Sequence, residues 1–151
     1  MFALPIQLRN LAVGVSLAVA VQPVLAVEET PMSIPGGAMV STDQAKQHFD
    51  KGVKFIDTRV AAEYAEKHIK GAANVVYKEK FGKTSKVDAE DTFDLEKLPA
   101  DKSTPMVFYC NGSPCWKGYK GAAVAIKAGY KNVSWYRDGI PAWTAKSFPT
   151  E

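Results

Sequence analysis

The sequence predicts an α/β domain, a parallel sheet with helices packed on both faces, and three observations carry that prediction. Short apolar runs such as "VKFIDT" and "MVFYC" are continuous rather than alternating, as expected of strands buried on both faces. Segments with helical spacing alternate with these runs along the chain. Connections of that type favour parallel strands.

The elements follow in order. "MFALPIQLRN" carries one cation, Arg9, and leads into the apolar run "LAVGVSLAVAV" at 11–21, which Gln22 and Pro23 end. Val24, Leu25 and Ala26 then offer small residues where a signal peptidase reads, so residues 1–26 are expected to be a signal peptide cleaved after Ala26. The run is short of the roughly 20 apolar residues needed to span a bilayer, so no stable membrane insertion is expected after cleavage. The expected location is periplasmic or secreted. Residues 27–37, "VEETPMSIPGG", lack an apolar period and end in turn formers, which predicts a flexible lead-in to one domain over 38–151.

"VSTDQAKQHFDKG" reads as a helix capped by Ser41 or Thr42 and stopped by Gly52. "VKFIDT" follows as a buried strand. "RVAAEYAEKHIKG" has alanines and charges at helical spacing with Gly71 as its stop, and "AANVVY" is the next strand. Residues 78–105 are polar and charged, with a short helix around "FDLEKL"; a connection this long is a lid, a partner surface or an idle loop. "MVFYC" is a strand, "CWKGYKGAAVAIKAGY" a helix with a small apolar face, "NVSWY" a strand, and "DGIPAWTAKSFP" a turn and terminal helix. Trp135 and Trp143 are expected in the core.

Composition narrows the function. A formal net charge of +3, about +2 once Arg9 leaves with the expected leader, is too weak to argue for a nucleic-acid partner. The two cysteines, Cys110 and Cys115, are too few for a disulfide framework. The only histidines, His48 and His68, lie in unrelated segments without ligand spacing, so metal binding is not expected.

Both cysteines fall in "MVFYCNGSPCWKGYKGAA", residues 106–123. In a parallel sheet, ligands bind beyond the carboxyl ends of the strands, and Cys110 terminates one. Backbone amides of the loop and of the following helix N-terminus would face its sulfur, stabilising an anion and lowering the thiol pKa. Gly112 permits the sharp turn, Ser113 adds a hydroxyl donor, Pro114 stiffens the loop, and Lys117 and Lys120 would bring positive charge to the mouth. These residues alone leave a nucleophile and a buried structural thiol both open.

The chain resembles the rhodanese-like sulfurtransferase family over essentially everything after the leader. The matching pieces are "FIDTRVAAEYAEKHIKGAANV", the approach "LPADKSTPMVFYCNG", and "GYKNVSWYRDGIPAW". The resemblance implies the family's three-layer α/β fold, a central parallel sheet flanked by helices, and a catalytic Cys110 that works with no metal or organic cofactor. That cysteine would take a sulfane sulfur from a small sulfur-containing anion (thiosulfate, polysulfide) or a protein persulfide and hand it to a thiol or cyanide. The substrate-binding loop would be Asn111, Gly112, Ser113, Pro114, Cys115, Trp116 and Lys117, with its amides around the terminal sulfur and Trp116 a candidate pocket wall. Asp57, Arg59, Glu63 and His68 would be framework, with Arg59 paired to Glu63.

Related phosphatases end a seven-membered loop on arginine, whereas the seventh position here is Trp116. Without a guanidinium fork, phosphate capture is not expected. Cys115 has three readings: an inert helix-start residue, a thiol that attacks the Cys110 persulfide, or a partner in a silencing disulfide. A sulfur carrier without small-molecule turnover and a thiol-disulfide redox protein using both cysteines remain as alternatives.

Overall fold

The computed structural model describes residues 29–151. The leader expected at 1–26 lies outside them. Among the described residues, no helix is long and apolar enough to cross a membrane. One five-stranded sheet is built from β1 (Ala38–Val40), β2 (Lys54–Asp57), β3 (Ala73–Asn74), β4 (Met106–Tyr109) and β5 (Val133–Tyr136), in the order β1-β5-β4-β2-β3. Every pairing is parallel. Four helices, α1 (Thr42–Asp50), α2 (Ala61–Glu66), α3 (Lys117–Lys127) and α4 (Gly139–Ala145), connect and cover it. This is the α/β architecture expected from the alternation of elements.

Strand alternation divides the core into two layers. Ile56, Met106, Phe108, Val133 and Trp135 point to the face covered by α3, where Trp116, Tyr119, Ala122 and Ala125 meet them. Phe55, Val107, Tyr109 and Tyr136 point to the opposite face, where Ala45 of α1 and Ile140 and Trp143 of α4 close over them. Trp135 and Trp143 are both buried, as their positions suggested. Burying a valine, isoleucine, methionine or phenylalanine side chain in these layers stabilises the fold by roughly 1.5–3 kcal/mol.

Local chemistry sets the ends of the elements. Ser41 caps α1, its hydroxyl accepting from the Gln44 amide while the Gln44 side chain accepts from the Ser41 amide. β3 is shorter than "AANVVY" suggested because β2 ends at Asp57: the Val75 and Tyr77 amides reach only the last carbonyls there, those of Asp57 and Thr58. β1 gives no sequence signal, because three residues are too few to show a period.

Two segments outside the regular elements are fastened to the body of the fold. The described part of the lead-in is packed down: Thr30 and Ile34 are buried, and the Thr30 amide and hydroxyl both donate to the Ser113 carbonyl, at 2.9 and 2.7 Å. Arg137 in turn donates to the Thr30 carbonyl at 2.9 Å. The segment 29–34 is therefore a strap across the cysteine loop rather than part of a flexible lead-in. The long connection after β3 is likewise fastened. Lys120 of α3, fully buried, donates to Glu79 at 2.9 Å and to the Phe81 carbonyl at 2.6 Å, and Tyr77 donates to Asp91 at 2.8 Å. The expected short helix is a 3-10 turn at Leu95–Lys97.

Candidate active site

β4 is buried at all four positions and delivers Cys110 to the carboxyl edge of the sheet, between the ends of β2 and β5. Its last carbonyl, that of Tyr109, accepts from the Thr58 amide and hydroxyl at 3.2 and 3.0 Å. The next, that of Cys110, accepts from the Ile140 amide at 3.0 Å. The cysteine is thus held from the end of β2 on one side and from the first turn of α4 on the other.

Helix α3 starts close to it. A Cβ added at Gly118 would lie 3.3 Å from the Cys110 Cβ, so the first turn of α3 abuts the cysteine. No side chain caps this helix, which leaves its first-turn amides and the positive end of its dipole at the loop. On the other side, Gly139 has φ +62°, and a Cβ there would come within 2.6 Å of the Gly112 nitrogen. Only a residue without a side chain permits this approach of α4 to the loop.

The loop itself is closed. A disulfide joins Cys110 to Cys115, with 6.1 Å between their Cα atoms, and among the described residues no cysteine is free. Of the three readings of Cys115, the inert one does not describe this state. In this form neither sulfur titrates. The Cys115 amide donates to the Gly112 carbonyl at 3.0 Å, so it belongs to a turn and not to a ring of free amides. Cys110 is 3% exposed, whereas Cys115 is half-buried.

A cavity of about 330 Å³ opens beside the loop, lined by Arg59, Glu63, Glu66, Lys67, Asn111, Ile140, Pro141 and Thr144. Asn111 is the one member of the expected substrate-binding set that lines it. Its amide donates to Glu63 at 2.6 Å. Gly112, Ser113 and Pro114 form the closed turn, and Lys117 opens α3 half-buried. Trp116 is not a pocket wall: it sits in the α3-side core against Tyr119, where a large ring buries more area than a cavity rim allows. Its indole N–H finds no partner there. Lys120 does not charge the mouth either, being buried against Glu79 and Phe81.

The framework differs from the expected Arg59–Glu63 pair. Arg59 forks onto Asp57 instead, Nε to Oδ1 at 3.0 Å and Nη2 to Oδ2 at 2.6 Å, and also donates to the Lys67 carbonyl at 2.7 Å. One residue, Thr58, separates the partners in sequence, and the fork is the tighter geometry. Tyr109 donates to the same Asp57 carboxylate at 2.6 Å. Burial works against the Arg59 charge, yet the bonds and charge of Asp57 outweigh it and hold the guanidinium above its ordinary pKa. Burial, with the Asp57 charge, pushes the Tyr109 phenol upward. His68 stacks on Tyr64, bonds its carbonyl at 2.9 Å and lies 3.3 Å from Glu151, which places it in the framework and away from the loop. Among the described residues, no group of three or more histidine, cysteine, aspartate or glutamate side chains is placed to hold a metal.

The cavity walls contributed by α4 were missed in the sequence. The one signal for them was "DGIP", a turn followed by a helix start, which says nothing of where that helix would dock.

Comparison with known proteins agrees with this geometry. A family model described as "Rhodanese-like domain" matches residues 41–146. No curated protein matches. Among solved structures, a Bacillus halodurans protein superposes with a TM-score of 0.58 at 23% identity, covering 76% of this chain and 77% of that one. The thiosulfate sulfurtransferase of Pseudomonas aeruginosa gives 0.56 at 20% identity, covering 76% of this chain but 20% of that longer one. An uncharacterized protein from Saccharomyces cerevisiae gives 0.53 at 26% identity, covering 72% of this chain and 92% of that one. A sheet of this order, a cysteine at its carboxyl edge and a family match over most of the described residues lead to one conclusion: the chain belongs to the rhodanese-like domain family, which is of sulfurtransferase type.

Proposed function

We propose that the protein is a sulfurtransferase that carries a sulfane sulfur as a persulfide on Cys110. The observation that carries this reading is the position of Cys110: at the end of the central strand, against the uncapped first turn of α3, and next in the chain to Asn111 of the cavity lining. An uncapped helix start favours an anion next to it, here the thiolate and then the persulfide.

The reaction begins once the disulfide is reduced. The Cys110 thiolate attacks the outer sulfur of a donor, the bond inside the donor breaks, and the remainder leaves with the electron pair; from thiosulfate the leaving group is sulfite. An acceptor nucleophile, a thiol or cyanide, then attacks the outer sulfur and returns Cys110 to its thiolate. Thiosulfate, polysulfide and protein persulfides are the donor classes proposed. Export ahead of Val27 is part of the reading: an oxidising compartment keeps the cysteine pair bonded until a reductant meets it.

Steady-state formation of thiocyanate from thiosulfate and cyanide tests it. The pre-reduced protein is expected to turn over, the disulfide form to be silent, and Cys110→Ser to fall to background. Unchanged turnover in Cys110→Ser refutes the assignment, and absent turnover in the reduced protein moves the reading to a carrier.

A further inference from the structure

We propose that Cys115 gives the site a second activity, reductive release of sulfide: it attacks the Cys110 persulfide, and the disulfide of the structure is the product. The inference rests on the persulfide reading above and extends it to the fate of the sulfur when no outside acceptor arrives.

Three observations carry it. The Cys110 and Cys115 sulfurs bond within the folded loop, with their Cα atoms 6.1 Å apart, inside the usual disulfide range. The bend that brings them together is held by bonds that do not involve sulfur. The Cys115 amide donates to the Gly112 carbonyl at 3.0 Å, the Thr30 amide and hydroxyl grip the Ser113 carbonyl at 2.9 and 2.7 Å, and the Ile140 amide holds the Cys110 carbonyl at 3.0 Å. Reduction therefore leaves Cys115 poised beside Cys110. Finally, the pair is unequal: Cys110 is 3% exposed and Cys115 half-buried, so an outside thiol reaches Cys115 first.

The step balances as follows. The Cys115 thiol gives its proton to solvent, and its sulfur attacks the inner, Cys110 sulfur of the persulfide. The bond from that sulfur to the outer one breaks, and the outer sulfur departs with the electron pair as hydrosulfide. The two cysteine sulfurs are oxidised to the disulfide, and the sulfane sulfur is reduced to sulfide. A dithiol reductant then attacks Cys115, expels the Cys110 thiolate beside the α3 N-terminus, and resolves its own mixed disulfide with its second thiol. Each cycle consumes one dithiol and one sulfane sulfur and yields one sulfide and one disulfide.

The test is intact mass and released sulfide under anaerobic conditions, on reduced, desalted protein given one equivalent of polysulfide and no acceptor. Wild type is expected to end two hydrogens lighter than the reduced chain, with sulfide released. Cys115→Ser and Cys115→Ala are expected to stay one sulfur heavier, and Cys110→Ser to take up nothing. Wild type that keeps its extra sulfur as long as the Cys115 variants overturns this inference and leaves the persulfide reading standing. If neither wild type nor the Cys115 variants change mass, both fall together. Uptake by Cys110→Ser but not by the Cys115 variants overturns the assigned roles.

Discussion

At the scale of single residues, the site depends on groups whose partners sequence spacing does not announce. Cys110 was legible, because a strand leading into a glycine-bearing loop and a helix is a local pattern. The fork of Arg59 onto Asp57 was not: the resemblance implied Glu63 as the partner, while the end of β2 places Asp57 nearer. Both side chains are almost wholly buried, so Arg59→Met strands a carboxylate that Tyr109 alone cannot balance. The expected cost is about 3–5 kcal/mol in urea unfolding, with part recovered in the Asp57→Asn, Arg59→Met double variant. Gly139→Ala gives a second test. Its Cβ meets the backbone of the cysteine loop, whereas at Gly71, also at positive φ, a Cβ meets nothing. Both substitutions carry backbone strain on the order of 1–3 kcal/mol. Only Gly139→Ala is expected also to depress thiocyanate formation by the reduced protein, because only there does the loop have to move.

At the scale of elements, helices were readable from their spacing and central strands from their continuous apolar runs, while β1 and the strap at 29–34 were not. Their burial comes from long-range contacts, Ile34 against the α3-side core and Thr30 against Ser113, which no local window contains. The segment between β3 and the 3-10 turn was read as a charged stretch of open role, and its anchor, Lys120, was mistaken for a surface charge. Lys120→Met removes the ammonium that faces Glu79 and Asp91, at 2.9 and 3.9 Å. Faster amide exchange confined to residues around 78–93 is expected, with the Cys110–Cys115 disulfide intact. The same anchor predicts a pH dependence. Burial opposes the Asp91 charge, but the Lys80 amide, the Tyr77 hydroxyl, the Asp88 amide and the Lys120 charge together hold its carboxyl below the ordinary range. A depressed folded pKa contributes stability that is present above the unfolded carboxylate value of about 3.9 and lost as pH falls through the folded one. Asp91→Asn is therefore expected to flatten the stability profile at the acid end, measured as urea midpoints from neutrality down through that window.

At the scale of the whole molecule, the alternation of elements was enough to foresee a parallel sheet, but not its order, because strand neighbours are chosen by packing across the sheet. The order matters for function: it puts β4 in the middle and so brings the ends of β2 and β5 to either side of Cys110. Two core layers hold this frame without help from the cysteines. A disulfide that closes so short a loop contributes only roughly 2 kcal/mol. Reduction is thus expected to lower the urea midpoint modestly while leaving the chain folded, and unfolding on reduction contradicts a cysteine pair that opens and closes in use. The most direct measurement of the central claim is the intact mass of reduced Cys115→Ser protein after thiosulfate or polysulfide, before and after cyanide, beside Cys110→Ser. The account predicts one added sulfur in Cys115→Ser, removed by cyanide, and none in Cys110→Ser. Equal uptake by both variants, or uptake by neither, contradicts a persulfide on Cys110.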